Sequence, residues 1–184
     1  MYFRLLADLS IPQRMTGCAE LSDGTPLPGS PFTRGEKYDG AEPVHFASIS
    51  PGPVIDFSFG FQDIPIVRKA LAETILRLSP AGDIQVVTAV IDDDDTEFVV
   101  LNSLRLVDAI DEGRSMTVPL REEQRVRGWK GKYGSVANIH LECDKVGDAQ
   151  FFRVSYWPMA LMASDSIVDV LRGYKATGVR WEVA

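Results

Sequence analysis

The sequence predicts an α+β fold in a single domain, with a mostly antiparallel sheet, two main helices and a long Pro/Gly-rich N-terminal segment. The β-branched run Ile84–Ile91 is typical of a buried strand, and Ile64–Leu78 and Asp165–Tyr174 carry helical apolar periodicity. The other apolar runs are short and come in succession, apart from the helices. A chain of 184 residues buries roughly 70% of its unfolded surface. It therefore needs neither a metal nor a disulfide to form a core.

Tyr2–Ala7 is predicted to be the first strand. After it, residues 12–53 contain seven of the 11 prolines of the chain, together with six glycines. Because proline lacks a backbone donor and glycine is costly to order, regular structure is not expected here. The segment either wraps over the surface, with Phe32, Tyr38 and Phe46 as pegs, or forms a flexible arm.

Ile64–Leu78 is predicted as the first main helix. Asp63 is the expected cap, and Pro65 suits the first turn. Its apolar stripe consists of Val67, Leu71, Ile75 and Leu78.

Strands are expected at Ile84–Ile91 and Glu97–Leu101, with Asp92 to Asp95 in the turn between them. Val107–Glu112 is either a strand end or a helical turn, and Arg121–Gly134 is expected to be a polar loop. The further extended segments predicted are Ser115–Leu120, Ser135–Glu142, Phe151–Tyr156, Met159–Ala163 and Val179–Val183.

The second main helix is predicted over Asp165–Tyr174, with Ser164 as its N-cap. A serine hydroxyl at this position accepts a bond from an unpaired backbone N–H and contributes about 1 kcal/mol. Gly178 is expected to turn the chain into the last strand.

The net charge of −7 disfavours nucleic acid as a partner, because affinity for nucleic acid rests on neutralising phosphates with Lys and Arg. It is compatible with a basic protein partner and equally with plain solubility. Cys18 and Cys143 form no disulfide framework or zinc ligand set. The start of the sequence does not resemble a signal peptide, and no run of about 18 apolar residues exists. These features predict a cytoplasmic protein with reduced thiols and no membrane contact.

Two segments are candidates for binding a partner protein. The first is the acidic cluster Asp92, Asp93, Asp94 and Asp95, which is either a solvated turn or an electrostatic contact that speeds association with a basic partner. A calcium loop is disfavoured because the glycine for its sharp turn is missing.

The second candidate segment is Arg121 to Tyr133, in which basic residues alternate with aromatic ones. Arg, Trp and Tyr dominate interface hot spots, so Arg127, Trp129 and Tyr133 are candidate anchors. A nucleic-acid contact and an ordinary surface loop are the alternatives.

No catalytic, cofactor or metal site is predicted. His140 and Glu142 have the His-x-Glu spacing of zinc deaminases, but the required Pro-Cys-x-x-Cys is missing. Asp108, Asp111, Glu112, Arg114 and Ser115 form a polar cluster. We expect it to cap turns and to form local pairs, because nothing places a nucleophile or base beside it. Phosphate-binding glycine loops and a nucleophile elbow are also missing.

Four stretches of the second half carry a family resemblance. They are Phe98–Ser115, Phe152-Arg153-Val154, Ala163-Ser164-Asp165 and Thr177-Gly178-Val179-Arg180-Trp181. Together they resemble immunity protein family eleven of bacterial polymorphic toxin systems, over residues 98–184 of a single immunity-type domain spanning 1–184.

The resemblance implies a non-enzymatic protein that binds and blocks one cognate toxin made by the same or a neighbouring cell. Two alternatives remain open: a small enzyme that reverses a modification made by a toxin, and a general protein-interaction module. The motifs do not mark a binding surface, and the oligomeric state is not predicted.

Overall fold

The computed structural model describes residues 1–12, 15–27, 31–92, 96–126 and 131–184, with only the backbone at 125 and 126. Within them the fold is α+β, as predicted, with mostly strands and four short α-helices. The strands are β1 (Tyr2–Ala7), β2 (Met15–Glu20), β3 (Val44–Ser50), β4 (Phe57–Gly60), β5 (Ile64–Arg68), β6 (Ile84–Ile91), β7 (Phe98–Ser103), β8 (Leu106–Val107), β9 (Met116–Pro119), β10 (Tyr133–Ala137), β11 (Phe151–Val154), β12 (Leu161–Ser164) and β13 (Val179–Val183). The helices are α1 (Lys69–Leu78), α2 (Glu122–Val126), α3 (Cys143–Val146) and α4 (Asp165–Tyr174).

The described strands form three sheets instead of one. A six-stranded sheet has the order β2-β3-β6-β7-β5-β4, a five-stranded sheet has the order β13-β1-β12-β11-β8, and β9 pairs with β10. Two of the described pairings, β3 with β6 and β8 with β11, are parallel. The rest are antiparallel, as predicted.

Three hydrophobic clusters hold these layers together. The main one lies between the two large sheets and helices α1 and α4, and it joins residues such as Leu5, Phe57, Leu101 and Leu171 from the whole chain. A core that draws on both halves agrees with a single domain. The second cluster covers the far face of the five-stranded sheet, and the third covers the far face of the six-stranded sheet.

The Pro/Gly-rich segment contains two strands that the sequence did not predict, β2 and β3, which pair with each other. Its three aromatic pegs are buried as predicted: Phe32 and Phe46 are at most 1% exposed and Tyr38 is 9% exposed. Where the structure describes it, the segment therefore supplies two strands of the six-stranded sheet and packs its three aromatic rings in the third cluster.

The predicted helix over Ile64–Leu78 begins late. Residues 64–68 form β5, which lies between β4 and β7, and α1 starts at Lys69. Asp63 is not the cap: it lies in the turn before β5 with a left-handed φ of 55°, and Pro65 pairs with Phe59 in the sheet.

Three other predicted elements end elsewhere. The loop predicted over Arg121–Gly134 begins with α2 and ends inside β10. The strand predicted over Ser135–Glu142 stops at Ala137, because Asn138 adopts a left-handed φ of 45°. The strand predicted to end at Tyr156 stops at Val154.

The second main helix is confirmed at its predicted bounds. The hydroxyl of Ser164 accepts a bond from the N–H of Ile167 at 3.4 Å.

Candidate partner-binding surface

Asp92 directly follows β6 and is exposed, with a left-handed φ of 44°. Its carboxylate accepts the N–H of Ser48 at 2.9 and 3.1 Å. Asp92 therefore ties the end of β6 to β3 while it remains accessible to solvent. Asp93, Asp94 and Asp95 lie outside the described residues.

Tyr133 begins β10 and is 5% exposed, with its ring in the second cluster. Its hydroxyl donates to Glu112 Oε1 at 2.6 Å, and the same oxygen accepts a bond from Lys132 Nζ. The hydrogen bond from Lys132, followed by that from Tyr133, lowers the pKa of Glu112, whereas burial raises the pKa of Tyr133. Tyr133 therefore offers a partner little contact area itself.

Arg127 and Trp129 lie outside the described residues. Among those that the structure does describe, no contact joins Asp92 to Tyr133, and the two belong to different sheets. The seven predicted anchors remain predictions.

Two residues of the polar cluster, Asp111 and Ser115, form the turn-closing hydrogen bonds expected of them. Asp111 Oδ1 accepts the N–H groups of Gly113 and Arg114 at 3.0 and 3.2 Å, which closes the turn. Ser115 Oγ accepts the N–H of His140 at 2.9 Å and donates to its carbonyl at 3.2 Å. These bonds fix the β9–β10 hairpin and the segment that follows it. In the described ranges no three His, Cys, Asp or Glu side chains cluster as metal ligands.

Arg153 is a buried cation, and sequence reasoning named it only as a member of the motif. It is 0% exposed on β11. Its Nη1 donates to the carbonyl of Pro158 at 2.6 Å and its Nη2 to the carbonyl of Asp63 at 2.7 Å. Burial lowers the pKa of Arg153 to about 10, a shift that the nearby Asp63 carboxylate opposes. Arg153 remains charged at neutral pH and links the two large sheets.

Thr177 and Gly178 form a second link between the sheets. Asp56 Oδ2 accepts both the N–H and the hydroxyl of Thr177, at 3.0 and 2.7 Å. The N–H of Phe57 donates to the carbonyl of Thr177, and the N–H of Asp8 to that of Gly178. Arg153, Thr177 and Gly178 of the motif thus form bonds that hold the fold together.

Sequence reasoning did not anticipate one face of the six-stranded sheet. Helix α1 packs over β5 and β7, so no α-helix of the described residues packs over the same face of β6 and β3, which we call the open face. Six side chains form this open face: Val86, Thr88 and Val90 on β6, and His45, Ala47 and Ile49 on β3. Period-2 alternation places them together, but the pairing of β3 with β6 was not predictable, because β3 lies within the Pro/Gly-rich segment.

The open face carries large exposed apolar side chains. Val86 is 42% exposed and Ile49 is 65% exposed. Between α1 and β6 lies a groove of about 390 Å³, with Leu76 and Val86 on its walls and Glu73 and Glu97 among its lining residues.

No helix in the described part of the chain is long and apolar enough to cross a membrane. No curated protein matches the sequence. The profile of the immunity protein family Imm11 matches residues 85–184. That range holds 100 of the 184 residues, β6 to β13, and all the motif residues described above. The chain therefore belongs to the Imm11 immunity protein family.

Proposed function

We propose that this protein binds one cognate toxin in the cytoplasm and neutralises it by covering its active surface, without catalysis. The family match over residues 85–184 carries this proposal. An immunity protein of this kind acts through a specific complex, which typically buries about 1,600 Å² in total.

The charge of the chain favours a basic toxin partner and disfavours nucleic acid. A net charge of −7 attracts a basic protein from a distance, and complementary charges chiefly raise the association rate and the specificity. The acidic residues Asp92 to Asp95 and the residues Arg127 and Trp129 remain our candidate contacts. Tyr133 acts through Glu112 and Lys132 by holding the hairpin in place.

The test is co-purification of the tagged protein with the product of the adjacent gene, together with a growth-rescue assay. We expect a stoichiometric complex and restored growth. Growth rescue without a complex would instead support an enzyme that reverses a toxin modification. If the protein neither rescues growth nor forms a complex, the proposal is refuted and a general interaction module remains.

A separate set of variants tests whether the acidic residues after β6 contribute to toxin binding. Replacing Asp93, Asp94 and Asp95 with Asn leaves the structural carboxylate of Asp92 in place and removes three charges. We expect association with the toxin to slow at low ionic strength, because steering is lost. A control variant with Asn at the exposed positions Asp39, Asp144 and Asp169 has the same net charge. An equal slowing in both variants would mean that overall charge acts, not this turn.

A further inference from the structure

The open face of β6 and β3 has the composition of an interface. None of its six residues is Asp, Glu, Lys or Arg. A sheet face in contact with solvent normally carries polar and charged side chains, whereas this one exposes Val86 at one end and Ile49 at the other, with Thr88 and His45 between them. An uncharged sheet face with exposed apolar side chains is a candidate site of interaction.

Carboxylates surround this face. Glu20 lies opposite His45 in the register of β2 and β3, and Asp92 directly follows β6. Glu73 and Glu97 line the groove beside α1. Glu97 pairs with Lys69 at 3.2 Å, whereas Glu73 has no ion pair among the described residues. An uncharged face with an acidic rim fits a partner of the opposite charge.

We propose that the open face, together with the groove between α1 and β6, docks the cognate toxin through a segment that presents apolar side chains flanked by Lys or Arg. This inference rests on the proposed function and names its surface. In an extended segment lying along the face, one apolar side chain enters the groove beside Leu76 and Val86, and another packs on Ile49 at the far end. The basic side chains meet Glu73 and the other rim carboxylates.

The test measures the dissociation constant of the complex with the product of the adjacent gene. Val86→Lys and Ile49→Lys place an ammonium group at one end and at the other end of the open face, respectively. Both native side chains are exposed, so the fold tolerates the change. We expect each variant to bind roughly 30-fold more weakly or worse, the scale of a hot-spot loss.

Two matched controls define the surface. Val118→Lys changes a strand valine that is 46% exposed on β9, close to the 42% of Val86. On α1, Leu76 and Leu78 are 38% and 41% exposed, and Leu76 lines the groove whereas Leu78 does not. We expect Val118→Lys and Leu78→Lys to bind within about threefold of the unchanged protein, as surface substitutions outside an interface do. Leu76→Lys should bind as weakly as Val86→Lys.

Hydrogen exchange supplies an independent readout. Formation of the complex should slow amide exchange in residues 84–91 and leave residues 116–119 unchanged. Equal affinity of Val86→Lys and Val118→Lys, with no protection in 84–91, would overturn the docking surface while the immunity function stands. Failure of the unchanged protein to bind would overturn both.

Discussion

Arg153 Nη2 donates to the backbone carbonyl of Asp63 at 2.7 Å, across the boundary between the two large sheets. Arg153 lies on β11 and Asp63 in the turn between β4 and β5. The planar guanidinium reaches a second carbonyl, that of Pro158, at the same time. A fork of donors on one rigid group is what arginine offers and lysine does not.

Replacing Arg153 with Met keeps most of the buried volume but removes both donors. The carbonyls of Asp63 and Pro158 then lose these partners, and an unpaired buried polar group costs about 1–3 kcal/mol. Removal of a desolvated charge offsets part of that. We expect a net loss of about 2 kcal/mol in the free energy of unfolding, measured by urea denaturation.

Arg77→Met is the control, since Arg77 is exposed on α1; it should change stability by less than about 0.5 kcal/mol. Arg153→Lys keeps the charge but cannot span both carbonyls, so it should also destabilise. Equal stability of Arg153→Met and the unchanged protein would show that the link is not needed.

Asp63→Asn should stabilise the protein at pH 7 and have less effect in acid. Burial raises the pKa of Asp63, and the charges of Arg153 and Arg4 offset that only in part. A carboxyl whose folded pKa is raised favours folding when protonated, and this advantage is lost as pH rises through the folded pKa. Asn has no proton to lose, and it tolerates the left-handed φ of 55° at this position.

Urea unfolding at several pH values from 3 to 7 measures this effect. The stability difference between Asp63→Asn and the unchanged protein should grow as pH rises. A difference that is constant with pH would mean that the carboxylate of Asp63 is not desolvated.

Gly178→Ala should destabilise the protein by about 3 kcal/mol. Gly178 has a φ of +87°, and an added Cβ would lie 2.5 Å from the carbonyl oxygen of Phe57 and 2.3 Å from Ile55 Cδ1. Gly173→Ala is the matched opposite, because Gly173 lies in α4 with nothing within 4 Å of an added Cβ. It should raise stability by about 1 kcal/mol. Thermal melts of both variants test the pair, and a similar loss in both would contradict it.

Ser115→Ala separates the structural reading of the polar cluster from a catalytic one. It leaves the N–H of His140 without its partner, whereas the carbonyl of His140 keeps the N–H of Asp111. We expect a loss of about 1.5 kcal/mol in unfolding free energy with toxin binding and growth rescue unchanged. Ser135→Ala, on the exposed side of β10, should change neither. Loss of rescue with binding and stability intact would support the enzyme alternative.

The strands and helices with one buried face were the predictable part of the fold. β6 and α4 were predicted at their observed bounds, because an uninterrupted β-branched run and a capped amphipathic pattern are local signals. The prediction for residues 64–68 was wrong for two reasons. β5 is buried on both faces, so it shows no alternation of apolar and polar residues. Val67 also continues the helical spacing of Leu71 and Ile75. β2 and β3 carry mixed polar sequences, and their pairing is set by tertiary contacts.

The candidate surface was predictable only in part. The acidic residues after β6 are visible in the sequence as a charge run. The open face is not visible in the sequence. It arises because α1 packs over β5 and β7 and does not extend over β6 and β3. Exposure of this kind depends on how the layers stack, and no local pattern encodes it.

The strand order of the five-stranded sheet makes its assembly depend on strands from both parts of the chain. β1 lies between β12 and β13, so the earliest strand to be translated waits for the latest ones before it has a neighbour on either side. The sheet is complete only once Val179–Val183 has been made. The family-matched part expressed alone would therefore lack the strand that joins β13 to β12.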